Sequence, residues 1–138
     1  MGYVDDRRAR GASAEGRHTR LLLAEDDEEL RALLSSTLRE DGFQVLEASN
    51  VAQALRLFER SPVDLVLTDL AMPHGRADDW VARLRRLARP PVVVTMTAFP
   101  DEGIRRHARA LGVALLEKPF SLERVTRTVR DAMARVPR

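Results

Sequence analysis

Residues 64–73 read DLVLTDLAMP, and this stretch decides how the rest of the chain is organised. Leu65 to Thr68 form a short, mostly apolar run of the kind that makes a buried strand. One carboxylate, Asp69, ends that run, and Pro73 forces the chain to turn soon afterwards. Because a lone carboxylate at the tip of a buried strand is costly, Asp69 needs a charged partner, a metal ion or a chemical role.

The totals of the sequence exclude several classes of protein. At 138 residues the chain is sized for one domain, and 44% hydrophobic residues are enough for a core. No apolar run approaches the roughly 20 residues of a membrane span, and the N-terminus has no signal-peptide core. The absence of cysteine excludes disulfides, thiolate zinc sites and cysteine nucleophiles. We therefore expect a cytoplasmic protein with no membrane contact.

The first 19 residues differ in composition from the rest of the chain. They show no hydrophobic period and are rich in Arg, Gly, Ala and Asp, which predicts a disordered leader over residues 1–19 and a folded domain over 20–138. Residues 21–138 carry 18 basic and 18 acidic side chains, so the folded part has no excess positive charge. We therefore expect no direct DNA binding.

A strand followed by a helix is predicted five times after the leader. The predicted strands are the runs 20–24, 43–48, 65–68, 92–94 and 113–116. Apolar residues at helical spacing, among them Leu33 and Leu87, are expected to face the sheet, and Asn50 and Ser121 are expected to cap helices. Because the strands are continuous apolar runs, we predict an α/β fold: a (βα)5 doubly wound, five-stranded parallel sheet with helices on both faces.

Polar residues follow the predicted strands at their carboxyl ends, where chemistry gathers in parallel sheets. They are Glu25, Asp26 and Asp27 after the first strand, Asp69 after the third, Thr97 after the fourth and Lys118, the only lysine, after the fifth. Clustered carboxylates without His or Cys are a hard-ligand site that suits Mg²⁺. An ionised Asp69 can then act as a nucleophile towards a phosphoryl group. Taken alone, Asp69 could equally be a turn residue.

Four segments together resemble the receiver domain of bacterial two-component response regulators, which is chemotaxis-regulator-like and flavodoxin-like in fold. They are LLLAEDD at 21–27, LVLTDLAMP at 65–73, Thr97-Ala98 and KPF at 118–120. The resemblance covers about residues 20–136 and implies the strand order 2-1-3-4-5.

The resemblance implies a phosphoacceptor site. Asp69 would accept a phosphoryl group from a sensor histidine kinase, a phosphotransfer protein or a small phosphodonor, so the domain would be a signalling phosphoacceptor rather than an enzyme. Mg²⁺, or Mn²⁺ in its place, would be held by Asp26, Asp69 and the Ala71 carbonyl, with Glu25 acting through water. The small side chain of Ala71 occupies a position that modulates the phosphate.

The resemblance also implies a switch. Thr97 matches the switch hydroxyl and Lys118 the lysine of the family, with a cis bond before Pro119. Phosphorylation would change the face formed by helix 4, strand 5 and helix 5, where a downstream protein or a second copy would bind. Phe99 stands at a position that tunes access to the phosphate. The sequence departs from the family at Leu115, where a Tyr or Phe is usual.

Alternatives remain open at this point. Leu115 suggests a degenerate receiver that acts as a constitutive interaction module. A metal-dependent phosphohydrolase could also use Asp69 as nucleophile, although the position two residues on, where such enzymes often carry an acid, is Ala71. A stand-alone receiver and a piece of a larger regulator or hybrid kinase fit the sequence equally well.

Overall fold

The computed structural model describes residues 19–72 and 77–135, with the backbone alone at 77 and 78. The leader predicted over 1–19 lies outside these ranges except for Thr19, whose carbonyl accepts a hydrogen bond from the Gln44 N–H at 2.9 Å. The turn predicted at Pro73 also lies outside the described residues.

Strands and helices alternate along the described residues, five of each. The strands are β1 (Arg20–Ala24), β2 (Gln44–Ala48), β3 (Leu65–Asp69), β4 (Val92–Thr97) and β5 (Ala114–Glu117). The helices are α1 (Glu28–Glu40), α2 (Val51–Arg60), α3 (Ala77–Arg85), α4 (Glu102–Leu111) and α5 (Leu122–Ala134). Within the described ranges, every helix is too short or too polar to cross a membrane.

All four strand pairs are parallel, and the strand order is β2-β1-β3-β4-β5, which confirms the predicted topology. Two reciprocal hydrogen bonds join the first residue of β1 to the residue before β3. The Arg20 N–H donates to Asp64 Oδ2 at 2.8 Å, and the Asp64 N–H donates to the Arg20 carbonyl at 2.8 Å. These bonds set the register that pairs Leu21 with Leu65.

The central strands are buried on both sides, because alternate side chains enter two separate cores. Leu21 and Leu23 of β1 pack in a core that α1 and α5 complete. Leu22 and Ala24 pack in a second core completed by α2 and α3. The prediction of helices on both faces is therefore confirmed, and continuous apolar strands are the physical consequence.

Side-chain caps start the helices whose first turns are fully described. Asn50 and Ser121 accept hydrogen bonds from the first turns of α2 and α5, as predicted, and Asp101 does the same for α4. Each such cap contributes about 1 kcal/mol. Gly112 ends α4 in the left-handed conformation (φ 70°), which a residue without Cβ adopts at least cost.

Two apolar residues that were expected to face the sheet do not. Leu33 is 50% exposed, since it lies one residue, or about 100° of helix rotation, from the fully buried Leu34. Leu87 is 44% exposed because α3 ends at Arg85 and Leu87 belongs to the turn that follows. The fourth strand also continues past the run 92–94 to Thr97.

The neighbouring leucines of α1 give a direct test of this arrangement. Leu34→Ala is expected to lower the free energy of unfolding by about 2–5 kcal/mol, because it opens a cavity between α1 and the sheet. Leu33→Ala is expected to cost about 0.5 kcal/mol, as at other exposed sites. Urea unfolding of both variants measures the difference, and equal losses would contradict the assigned helix face.

Candidate functional site

The register of the sheet brings the carboxyl ends of β1, β3, β4 and β5 to one edge. The residue after β1, Glu25, stands beside Asp69, the last residue of β3. Thr97 at the end of β4 pairs with Glu117 at the end of β5, and Lys118 follows directly. Residues that are 93 positions apart in sequence, Glu25 and Lys118, thus come into hydrogen-bond contact.

The Lys118 ammonium bridges two buried carboxylates at this edge. Its Nζ donates to Asp69 Oδ2 at 2.5 Å and to Glu25 Oε1 at 2.8 Å. The carboxylate side chains are 5% and 1% exposed, and that of Lys118 is 18% exposed. One cation therefore serves two carboxylates, which leaves the buried group with an excess of negative charge when all three are ionised.

The pKa values of Glu25 and Lys118 reflect this excess of negative charge. Burial raises the pKa of the Glu25 carboxyl to about 7, and the nearby Asp69 charge adds to the rise, while the hydrogen bond from Lys118 opposes it. Burial by itself would lower the pKa of Lys118, yet its hydrogen bonds to Asp69 and Glu25 raise that pKa above its ordinary value. The ammonium is therefore charged at neutral pH, and Glu25 titrates near neutrality.

Asp69 uses both carboxylate oxygens. Oδ2 accepts from Lys118, and Oδ1 accepts from the Ala71 N–H at 2.7 Å. The Leu70 N–H continues the ladder to the Met96 carbonyl at 2.9 Å. The carboxylate is thus held in one orientation at the strand end, and the exposed Ala71 side chain adds no polar group beside it.

The three acids after β1 occupy different environments. Glu25 is buried, and its Oε2 accepts from the Asp27 N–H at 3.0 Å. Asp27 is the N-cap of α1, with its Oδ1 accepting from the Leu30 N–H at 3.1 Å. Asp26 is exposed, and one oxygen each of Glu25, Asp26 and Asp69 lie within 4.8 Å of one another. In the described part of the chain, these three acidic residues are close enough together to hold one metal ion.

Thr97 lies at the same edge and is buried. Its Oγ1 accepts from the Phe99 N–H at 3.1 Å, and its carbonyl accepts from the Lys118 N–H at 2.8 Å. The Lys118–Pro119 peptide bond is cis. Phe99 is 75% exposed, so its ring stands out from the loop after β4.

Strand β5 carries Leu115 and, at its last residue, an ion pair to α4. Leu115 is half-buried and pairs with Thr95, whose Oγ1 donates to the Ala114 carbonyl at 2.7 Å. On the outer side, Arg105 of α4 forms a two-bond ion pair with Glu117 of β5, Nε to Oε2 at 2.9 Å and Nη2 to Oε1 at 3.2 Å. The hydrogen bond from Arg105 lowers the pKa of the Glu117 carboxyl.

One residue at the site was missed by the sequence analysis. Arg31 of α1 donates from Nη1 to the Glu25 carbonyl at 2.9 Å. A signal was present: an arginine within the first turns of a helix opposes the helix dipole, and helical side chains lean towards the N-terminus. Such a side chain is well placed to reach an acceptor in the preceding loop.

The Lys118 bridge predicts a pH-dependent loss of stability in a metal-free buffer. Lys118→Met is expected to lower the free energy of unfolding by about 2 kcal/mol at pH 8, because two buried carboxylates lose their cation. The loss should be smaller at pH 5. The folded-state pKa of Glu25 is raised above its unfolded value, so stability falls as pH rises between the two values.

Denaturant unfolding of Lys118→Met and of the double variant Glu25→Gln, Lys118→Met at both pH values measures this effect. The double variant should recover part of the stability at pH 8. Equal losses at pH 5 and pH 8, with no recovery in the double variant, would contradict the charge imbalance.

Comparisons with known proteins agree with this architecture. The family described as "Response regulator receiver domain" matches residues 21–130. The transcriptional regulatory protein PdtaR of Mycobacterium tuberculosis is 34% identical over 118 residues, which are 84% of this chain and 57% of PdtaR. CpxR of Klebsiella pneumoniae is 37% identical over 117 residues, 84% of this chain and 50% of CpxR. The chain thus spans about half the length of these curated relatives.

Solved structures give the same result for the fold. The non-phosphorylated HemR receiver domain of Leptospira biflexa superposes with a TM-score of 0.80 at 26% identity, over 87% of this chain and 98% of that one. A CheY-like receiver domain protein of Methanospirillum hungatei has a TM-score of 0.80 at 17% identity, over 86% and 95% of the two chains, and shows the fold alone. The strand order, the acidic edge and the match over residues 21–130 lead to one conclusion: this chain belongs to the response regulator receiver domain family.

Proposed function

We propose that this domain is a phosphorylation-controlled signalling module in which Asp69 is the phosphoacceptor. The observation that carries the proposal is one buried, oriented carboxylate that contacts the Lys118 ammonium and lies within 4.8 Å of oxygens of Glu25 and Asp26. Family membership supports a sensor histidine kinase, or a phosphotransfer protein, as the donor. A small phosphodonor would serve the same site.

The acidic residues fit a hard divalent cation. Their donor atoms are carboxylate oxygens, which Mg²⁺ prefers, and they are close enough to surround one ion together with water. We assign the ion, Mg²⁺ or Mn²⁺, to Asp26, Asp69 and the Ala71 carbonyl, with Glu25 contacting it through water. When bound, the ion offsets the carboxylate charge and stabilises the negative charge of the transferring phosphoryl group.

The residues divide the transfer step among them. An Asp69 carboxylate oxygen attacks phosphorus, a new O–P bond forms, and the bond from phosphorus to the donor breaks, with its electron pair leaving on the donor. Lys118 is already within 2.5 Å of Asp69, so its ammonium balances charge on the phosphoryl oxygens without a large movement. Glu25 keeps that ammonium at the edge of the sheet. The domain assists its own phosphorylation and dephosphorylation and is not a turnover enzyme.

Thr97 is the proposed switch. Its hydroxyl accepts from the Phe99 N–H, so its own hydrogen remains available to a phosphoryl oxygen on Asp69. A phosphoryl group adds roughly 1.5 to 2 negative charges and three acceptor oxygens, and Thr97 would move towards it. Because Thr97 is bonded to Lys118 through its carbonyl, the ends of β4 and β5 would move together. The exposed Phe99 would tune access to the phosphate.

The output surface is proposed to be the face of α4, β5 and α5. Phosphorylation would change this face for a downstream protein, and a second copy could form a dimer there. The curated relatives are transcriptional regulatory proteins. For this domain we propose protein partners rather than direct DNA contact, since residues 21–138 carry equal numbers of acidic and basic side chains. A cytoplasmic location remains a prediction of the sequence.

Leu115 favours one alternative, a degenerate receiver that binds its partner constitutively. Without an aromatic side chain at this position, the aromatic half of the usual signal relay is absent. A phosphohydrolase is disfavoured by Ala71, which offers no acid beside Asp69.

Phosphorylation is tested with acetyl phosphate and Mg²⁺, followed by intact mass measurement. The wild-type chain is expected to gain the mass of one phosphoryl group, and chelation of the metal should abolish the gain. Asp69→Asn removes the nucleophile while keeping the shape of the side chain, and it should give no adduct. An undiminished adduct in this variant, or none on the wild type, would overturn the proposal.

The switch is tested by amide hydrogen exchange with and without acetyl phosphate and Mg²⁺. Phosphorylation of the wild type is expected to change exchange between residues 98 and 117. Thr97→Ala should still be phosphorylated but lose this change, whereas Thr97→Ser, which keeps the hydroxyl, should retain it. A full response in Thr97→Ala would contradict the switch. Phosphorylated wild type without any response would favour the constitutive alternative.

A further inference from the structure

The loop between β1 and α1 carries the exposed carboxylate of Asp26, and Glu25 anchors that loop. The Glu25 N–H donates to the Ala48 carbonyl at 3.0 Å, and its two carboxylate oxygens accept from Asp27 and Lys118. Its carbonyl accepts from Arg31 Nη1 at 2.9 Å. Every backbone and side-chain polar group of Glu25 is therefore engaged, and Arg31 supplies the bond to the peptide group that Glu25 shares with Asp26.

Arg31 reaches this carbonyl from a fixed position. Its own N–H makes the first backbone bond of α1, to the Asp27 carbonyl at 2.8 Å, and its side chain is 18% exposed. The guanidinium Nε lies 3.5 Å from Glu47 Oε1 on β2, and the other oxygen of Glu47 accepts from Ser35 Oγ at 2.9 Å. The Arg31 guanidinium thus lies between an ion-pair partner on β2 and the Glu25 carbonyl to which it donates.

A purely structural role for Arg31, that of tying α1 to β2, is already filled by Arg39. Arg39 Nη2 donates to the Val45 carbonyl at 3.0 Å and lies 3.4 Å from Glu47 Oε2. Arg31 and Arg39 therefore share the Glu47 carboxylate on the same pair of elements. What distinguishes Arg31 is the bond to the Glu25 carbonyl, at the start of the acidic loop.

We propose that Arg31 is a positioning residue for the acidic edge. It holds the peptide group between Glu25 and Asp26, and so sets where the exposed Asp26 carboxylate stands relative to Asp69. The inference deepens the proposed function and rests on it for the metal, whereas the ordering of the loop is a separate property of the chain.

The experiment compares Arg31→Gln with Arg39→Gln, which loses the shared Glu47 contact but leaves the Glu25 carbonyl bonded. The first readout is the Mg²⁺ concentration that gives half of the maximal rise in melting temperature. Arg31→Gln is expected to raise it about 10-fold, as does loss of other residues that orient metal ligands. Arg39→Gln should leave it within about twofold of wild type. Arg31→Lys, which keeps the positive charge but not the planar guanidinium, should have a midpoint between those of wild type and Arg31→Gln.

The second readout is amide exchange of Asp27 in metal-free protein, where the N–H is held by Glu25. Arg31→Gln should speed this exchange, and Arg39→Gln should not. A wild-type midpoint and wild-type exchange in Arg31→Gln would overturn the inference, as would equal effects of the two variants. A wild type that does not respond to Mg²⁺ would instead count against the proposed function, and the exchange comparison would still decide the role of Arg31.

Discussion

The Lys118 ammonium between the Asp69 and Glu25 carboxylates is the interaction on which the rest of this edge depends. Two carboxylates that are almost fully buried repel one another, and each would be expensive to ionise without a cation. One lysine meets part of that cost and ties the ends of β1, β3 and β5 together. The remaining negative charge fits the divalent cation proposed for this edge, which would offset it.

The acidic residues at this edge differ in their exposure to solvent. Glu25 is inside, fully hydrogen-bonded, and holds Lys118 and the loop. Asp26 is exposed to solvent. Asp69 is buried at the end of β3, and one of its oxygens lies within 4.8 Å of an oxygen of the exposed Asp26. Arg31 connects the inner and outer parts, because it bonds the carbonyl between Glu25 and Asp26.

Much of this arrangement could be predicted from the sequence because it depends on local patterns. Continuous apolar runs indicated a parallel sheet, and parallel strands bring their carboxyl ends to one edge, which places Asp69, Thr97 and Lys118 together. What escaped prediction depends on how far side chains reach between elements. The contact of Arg31 with the Glu25 carbonyl is one example. The exposure of Leu33 is another, because a shift of one residue around a helix decides which leucine faces the sheet.

Contacts between elements also escaped prediction on the face formed by α4, β5 and α5. The sequence identified Leu115 as a departure from the family pattern, but it gave no sign that Arg105 of α4 pairs with Glu117 of β5 beside it. Because Glu117 is paired in register with Thr97, this exposed ion pair connects α4 to the strand end that the proposed switch would move. Exposed ion pairs contribute little to stability because solvent screens them, so this pair can break and re-form easily.

The central claim is that the phosphoryl group resides on one particular carboxylate. Borohydride reduction of the phosphorylated chain converts an acyl phosphate to an alcohol, which marks the modified residue permanently for peptide mapping by mass spectrometry. Homoserine is expected at position 69 and at no other position. Homoserine at position 26 or 27, or a stable phosphate that resists reduction, would contradict it.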